Sequence, residues 1–105
     1  MNFQQTLATL ASVDHLNGLI VLDNEGNTVL SIPAIEGKLG SLKVYNTLAA
    51  RFTELNSTAA KAGLILFAEH VEDAKRQPGA HPNIDFLLRV VEHDLCFKMQ
   101  PLSRR

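Results

Sequence analysis

Two short stretches of this sequence gather side chains capable of chemistry. The first runs Glu69-His70-Val71-Glu72-Asp73, with His81 a little further on. On a helix, His70 and Asp73 lie three apart and share a side. Pro82 biases His81 towards an extended backbone, so the loop that carries it could fold back and set a second imidazole near the first. Imidazole nitrogens with one or two carboxylates are what zinc, manganese and iron sites use. A divalent metal held by His70, Asp73, His81 and Glu69, or an acid–base site built from the same groups, is therefore one chemical reading. No His-Glu-x-x-His pattern supports it, and Glu72 can pair with Lys75 at i, i+3 and Arg76 at i, i+4, as on an ordinary solvated helix face.

The second stretch is Gly37-Lys38-Leu39-Gly40-Ser41, placed where a helix should begin. Open N–H groups at a helix start, small residues and one lysine could hold a phosphate, with Lys38, Gly40 and Ser41 as the anion-binding set. It is not a Walker loop, whose lysine follows the last glycine directly and precedes Ser or Thr. The plain alternative is a turn and an N-cap at Ser41. Other reactive residues stand alone. Cys96 shares a strand face with Lys98 and reads as a passive, partly covered thiol. His15 and His93 fall in turns, and Tyr45 lies on an apolar helix stripe.

The elements that must position these groups follow from periodicity. Phe3, Leu7 and Leu10 mark a short helix capped by Asn2, with Gln5 completing a capping box. Leu19-Ile20-Val21-Leu22 is apolar on both faces and predicts a strand covered on both sides. The turn formers Asp23 to Asn27 join it to a second strand, Thr28 to Ile32, in a β-hairpin. Tyr45, Leu48, Phe52 and Leu55 predict a helix from Ser41 to Leu55. Ala60, Leu64, Phe67, Val71 and Ala74 predict a further helix of four turns, although Gly63 also allows a short buried strand over residues 63–68. Ile84, Leu87, Leu88 and Val91 predict another helix after Pro82, and Leu95 to Gln100 a last strand closed by Pro101. The expected fold is α+β, with the hairpin and a C-terminal strand forming a small antiparallel or mixed sheet packed against about four helices.

Composition narrows the function classes. The chain has 105 residues, 46% hydrophobic, which is the size of one domain with a core of its own. Net charge is −1, and the first 52 residues carry four acids and three bases against seven of each in the rest. No basic patch is present to grip nucleic acid, and Arg104-Arg105 alone reads as a solvated end. One cysteine allows neither an internal disulfide nor a cysteine-rich zinc site. The N-terminus does not read as a secretory leader, and the apolar runs are far shorter than the ~20 residues a membrane helix needs. A cytosolic protein with no membrane or nucleic-acid partner is expected.

Ala68-Glu69-His70-Val71-Glu72-Asp73-Ala74, followed by Pro78-Gly79-Ala80-His81-Pro82-Asn83-Ile84-Asp85, resembles a family of short bacterial proteins of unknown function. The opening Met1 to Gly18 and the run Gly37 to Ser41 share the resemblance. It spans nearly the whole chain and implies a bacterial, single-domain protein, but brings no catalytic residues with it. Two functional readings follow, the first preferred and the second its alternative. One is a non-enzymatic module binding a protein partner or a second copy of itself. It draws on Ile65 and Leu66, which leave the third helix apolar around much of its girth. The other is a metal- or phosphate-dependent enzyme or ligand-binding protein using His70, Asp73 and His81.

Overall fold

A computed structural model describes residues 2–104; Met1 and Arg105, the ends of the opening segment and of the arginine pair, lie outside it. The chain opens with α1 (Phe3–Thr9), whose capping box forms as the sequence predicts. Asn2 Oδ1 accepts the Gln5 N–H at 2.9 Å and Gln5 Oε1 accepts the Asn2 N–H at 3.0 Å. The hairpin follows as β1 (Leu16–Leu22) and β2 (Thr28–Pro33), paired antiparallel. Its turn is closed by Asp23, whose Oδ1 accepts N–H bonds from Glu25 and Asn27 at 2.9 Å each. Gly26 supplies the positive φ there, at 85°. Gly18 has a different role: a Cβ added to it would lie 2.6 Å from the Ile32 carbonyl oxygen, so only glycine lets the strands approach this closely.

The C-terminal strand β3 (Lys98–Ser103) lies antiparallel on the other side of β1, giving the order β2-β1-β3. Among the described residues five helices accompany the sheet, so the α+β expectation holds and the sheet is antiparallel. The last strand is displaced from its expected place, beginning at Lys98 and running through Pro101. It tolerates proline because it is an edge strand, where a missing N–H costs no ladder bond if it points outward.

Helix α2 (Leu39–Arg51) lies across all three strands. Leu19, Val21 and Ile32 beneath it are buried, whereas Ile20 and Leu22 on the opposite face are only half-buried. The expectation of a strand covered on both sides is therefore corrected, because this small sheet has its helical layer on one face. α2 also starts two residues before Ser41 and stops at Arg51. Leu55 has left the helix to exchange backbone hydrogen bonds with Phe97, at 2.8 and 3.0 Å.

The helix predicted from Ala60 through Ala74 is two helices, α3 (Ser57–Phe67) and α4 (His70–Arg76). Residues 63–66 are helical, and the chain turns at Ala68, whose φ is 53°. Because an alanine makes the break in place of glycine or proline, the sequence carries no sign of it, and the apolar spacing continues across the gap. Gly63 is explained by packing. A Cβ there would meet Leu87 Cδ1 at 2.8 Å and Leu48 Cδ1 at 2.9 Å, so its absence lets α3 lie close to α2 and to α5 (Pro82–His93). Leu42, Tyr45, Leu48, Leu55, Leu87 and Val90 fill this core with essentially no exposed surface.

Candidate functional site

The two stretches singled out in the sequence line one cleft. Its walls are α1, the start of α2 and the start of α5, and its volume is about 350 Å³. Gly37, Lys38, Leu39, Gly40 and Ser41 form one side; His70, Ala80, His81, Pro82 and Asn83 form another. Phe3, Leu7, Phe67 and Ile84 give it an apolar floor. No aspartate or glutamate is among the lining residues, while Lys38 and two imidazoles are.

Each wall is set by local structure. Helix α2 has Lys38 at its N-cap with no side-chain cap, and the Lys38 N–H itself donates to the Ile35 carbonyl at 3.0 Å. The intrahelical ladder starts only with Leu42 N–H on the Lys38 carbonyl, so the N–H groups of Leu39, Gly40 and Ser41 have no helical acceptor. Ser41 sits inside the first turn, displaced from the cap position expected of it. Helix α5 likewise has no side-chain cap at His81, and Pro82 at its first position has no N–H to satisfy. Tyr45 of α2 fixes the two helices together, its hydroxyl donating to the Asn83 carbonyl at 2.6 Å. Burial pushes the Tyr45 phenol far above its ordinary range, so it is a neutral strut.

The third wall is α1. Phe3 stacks on Phe67 at 5.6 Å between ring centroids and meets the His70 ring edge-on at 4.8 Å. Gly40 leaves room for it, since a Cβ there would come within 3.1 Å of the Phe3 ring. Glu69 Oε1 accepts the Phe3 N–H at 2.8 Å and ties α1 to the start of α4. Its carboxyl is held below the usual range by its own backbone N–H and then by that of Phe3.

The histidine cluster forms in part. The His70 and His81 rings are 5.8 Å apart, a separation that two imidazoles sharing an ion can span. His81 Nε2, however, lies 2.6 Å from Asp73 Oδ2, and this bond is the main reason the Asp73 carboxyl lies below its ordinary value. Glu69 is engaged with α1. Among the described residues, no three histidine, cysteine, aspartate or glutamate side chains are arranged to hold a metal ion. The arrangement instead resembles a carboxylate-backed imidazole: Asp73 stands outside the cleft lining and His81 within it. Gln77 Nε2 donates to Asp73 Oδ1 at 3.1 Å and steadies the carboxylate.

Phe3, Leu7, Phe67 and Asn83 belong to the cleft although the sequence marks them only as helix stripe or helix start. Their signal was the capping box and apolar spacing, which speak of packing and not of a cavity. Cys96 is exposed, not partly covered, and the thiol is held above its ordinary value by desolvation and then by the Glu54 carboxylate. His15 and His93 are exposed and away from the cleft.

No described helix is long and apolar enough to cross a membrane. No curated protein and no solved structure matches the chain. One family model does, over residues 3–101, and it takes in α1, both cleft stretches and most of β3. The chain belongs to the family described as an uncharacterized protein conserved in bacteria, DUF2322.

Proposed function

We propose that this protein binds a small anionic ligand, a carboxylate or phosphate with an apolar part, in the cleft between α1, α2 and α5. The observation that carries this is the make-up of the lining: Lys38, His70 and His81 with no carboxylate, above an apolar floor of Phe3, Leu7, Phe67 and Ile84. Concave, mostly apolar sites with a few convergent polar groups are where small molecules bind. The open N–H groups of Leu39, Gly40 and Ser41 add donors of the right sign. A cytosolic setting is part of the proposal, because an exposed, unpaired thiol at Cys96 suits a reducing compartment.

The test is a set of thermal melts with inorganic phosphate, phenyl phosphate, benzoate and 2-oxobutanoate. A ligand at a hundred times its Kd stabilises the fold by ~2.7 kcal/mol, which raises the Tm of a domain this size by roughly 10 °C. We expect such a rise with at least one of these compounds, and its loss in Lys38→Ala or His70→Ala. No rise with any of the four would count against the proposal.

One observation favours a protein partner or self-association. Ile65 on α3 is 77% exposed, an apolar side chain on the open helix face it shares with Thr58 and Lys61. The corresponding measurement is sedimentation of wild type and Ile65→Lys. A wild-type dimer that dissociates in the variant supports this reading, and a monomer in both removes self-association.

A further inference from the structure

Resting on the proposed ligand site, we propose that the cleft is also an acid–base centre in which His81 takes and returns a proton on a bound 2-oxo carboxylate, with Asp73 as its positioning residue. The geometry has the required parts. His81 Nε2 and Asp73 Oδ2 are 2.6 Å apart, and Asp73 lies behind the imidazole, outside the lining that His81 helps to form. An ionised carboxylate accepts the Nε2–H, which fixes the tautomer and leaves the Nδ1 lone pair as the base. Asp73 is itself oriented by Gln77 at 3.1 Å, and Arg76 Nη2 lies 3.9 Å away. His81 is also held from the backbone, since its carbonyl accepts the Ile84 and Asp85 N–H bonds that begin α5.

The remaining lining suits a carbon acid better than a phosphate ester. A 2-oxo carboxylate offers a carboxylate for Lys38, a carbonyl oxygen that gains charge, and an acidic C–H on the adjacent carbon. In the step, His81 Nδ1 takes that proton. The C–H electron pair becomes the enolate double bond, and the carbonyl π pair moves onto oxygen. The imidazolium faces the Asp73 carboxylate, while Lys38 and the open N–H groups at the α2 start stabilise the enolate oxygen. Return of the proton to carbon restores both partners, so no oxidant, reductant or second substrate is consumed. His70 also lies against this imidazole, 5.8 Å from His81 between ring centroids, and its ring is held by Phe3.

The experiment is proton NMR of 2-oxobutanoate in D₂O, following loss of the C3 proton signal with and without the protein. General-base catalysis of this kind contributes about 10²-fold or more, and we expect exchange at least that much faster than in buffer. His81→Gln, whose amide can still donate to Asp73, should return the rate to background. Asp73→Asn should slow exchange while leaving the binding curve of 2-oxobutanoate unchanged, a split between turnover and binding that loss of packing alone would not produce. Amide shifts at Leu39–Ser41, recorded on ¹⁵N-labelled protein in H₂O at the same concentration of 2-oxobutanoate, report binding separately. Binding without accelerated exchange overturns the acid–base proposal and leaves the ligand site standing. Full exchange in His81→Gln also overturns it, and absence of binding removes both.

Discussion

Tyr45 is the largest of the side chains with no exposed surface, and its hydroxyl is the polar link between the helices whose first turns border the cleft. Tyr45→Phe keeps the ring and removes the donor, leaving the buried Asn83 carbonyl short of one partner. A loss of about 1–2 kcal/mol in urea unfolding is expected, with the fold retained. Asp73 makes a different prediction, because its effect depends on pH. The His81 bond depresses the folded-state carboxyl below its unfolded value. The unfolded chain therefore binds more protons through the acid range, so the stabilisation is complete above the unfolded value and fades as pH falls through the folded one. Urea midpoints of wild type and Asp73→Asn should stand apart at about pH 5, above the unfolded carboxyl value, and draw together as the pH is lowered through the depressed folded-state value. A gap that persists unchanged into acid would show that Asp73 acts through shape and not charge.

Among the elements, α3 shows most clearly how packing overrides propensity. Alanine at position 63 would gain about 1 kcal/mol of helix propensity, yet its Cβ would press on Leu48 and Leu87, both fully buried. Overpacking of a tight core typically costs about 1–3 kcal/mol, so Gly63→Ala should be destabilising on balance, by about 1 kcal/mol in the same assay. An increase in stability would mean the leucines can retreat. Gly63 also shows what the sequence makes legible. The helical spacing of Leu64 and Phe67 identifies the element, but the reason for glycine lies in neighbours distant along the chain. The hairpin was readable because Asp23 to Asn27 encodes its turn locally. The break at Ala68, the departure of Leu55 towards Phe97 and the passage of Pro101 through an edge strand all depend on tertiary partners, and periodicity carries none of these. At the site, residue types pointed to both stretches, and the pairing of His81 with Asp73 follows from the loop turning back. Their convergence on one cleft could not be read, since it is created by α1 and by the Tyr45 link.

For the whole molecule, charge is nearly balanced at −1, so no general field would draw an anion to the surface. Selectivity for one must come from the local make-up of the cleft, where Lys38, His70 and His81 face an acid-free lining. The central claim is that Gly37–Ser41 and Ala80–Ile84, 39 positions apart in sequence at their nearest ends, act as one site. The most direct test is an amide NMR titration of ¹⁵N-labelled protein with the compound that most raises the melting temperature. The account predicts that the Leu39, Gly40 and Ser41 amides and the Asn83 and Ile84 amides shift together along a single binding curve. Shifts confined to one of the two segments, or scattered over the sheet and α4 with both segments silent, would contradict it.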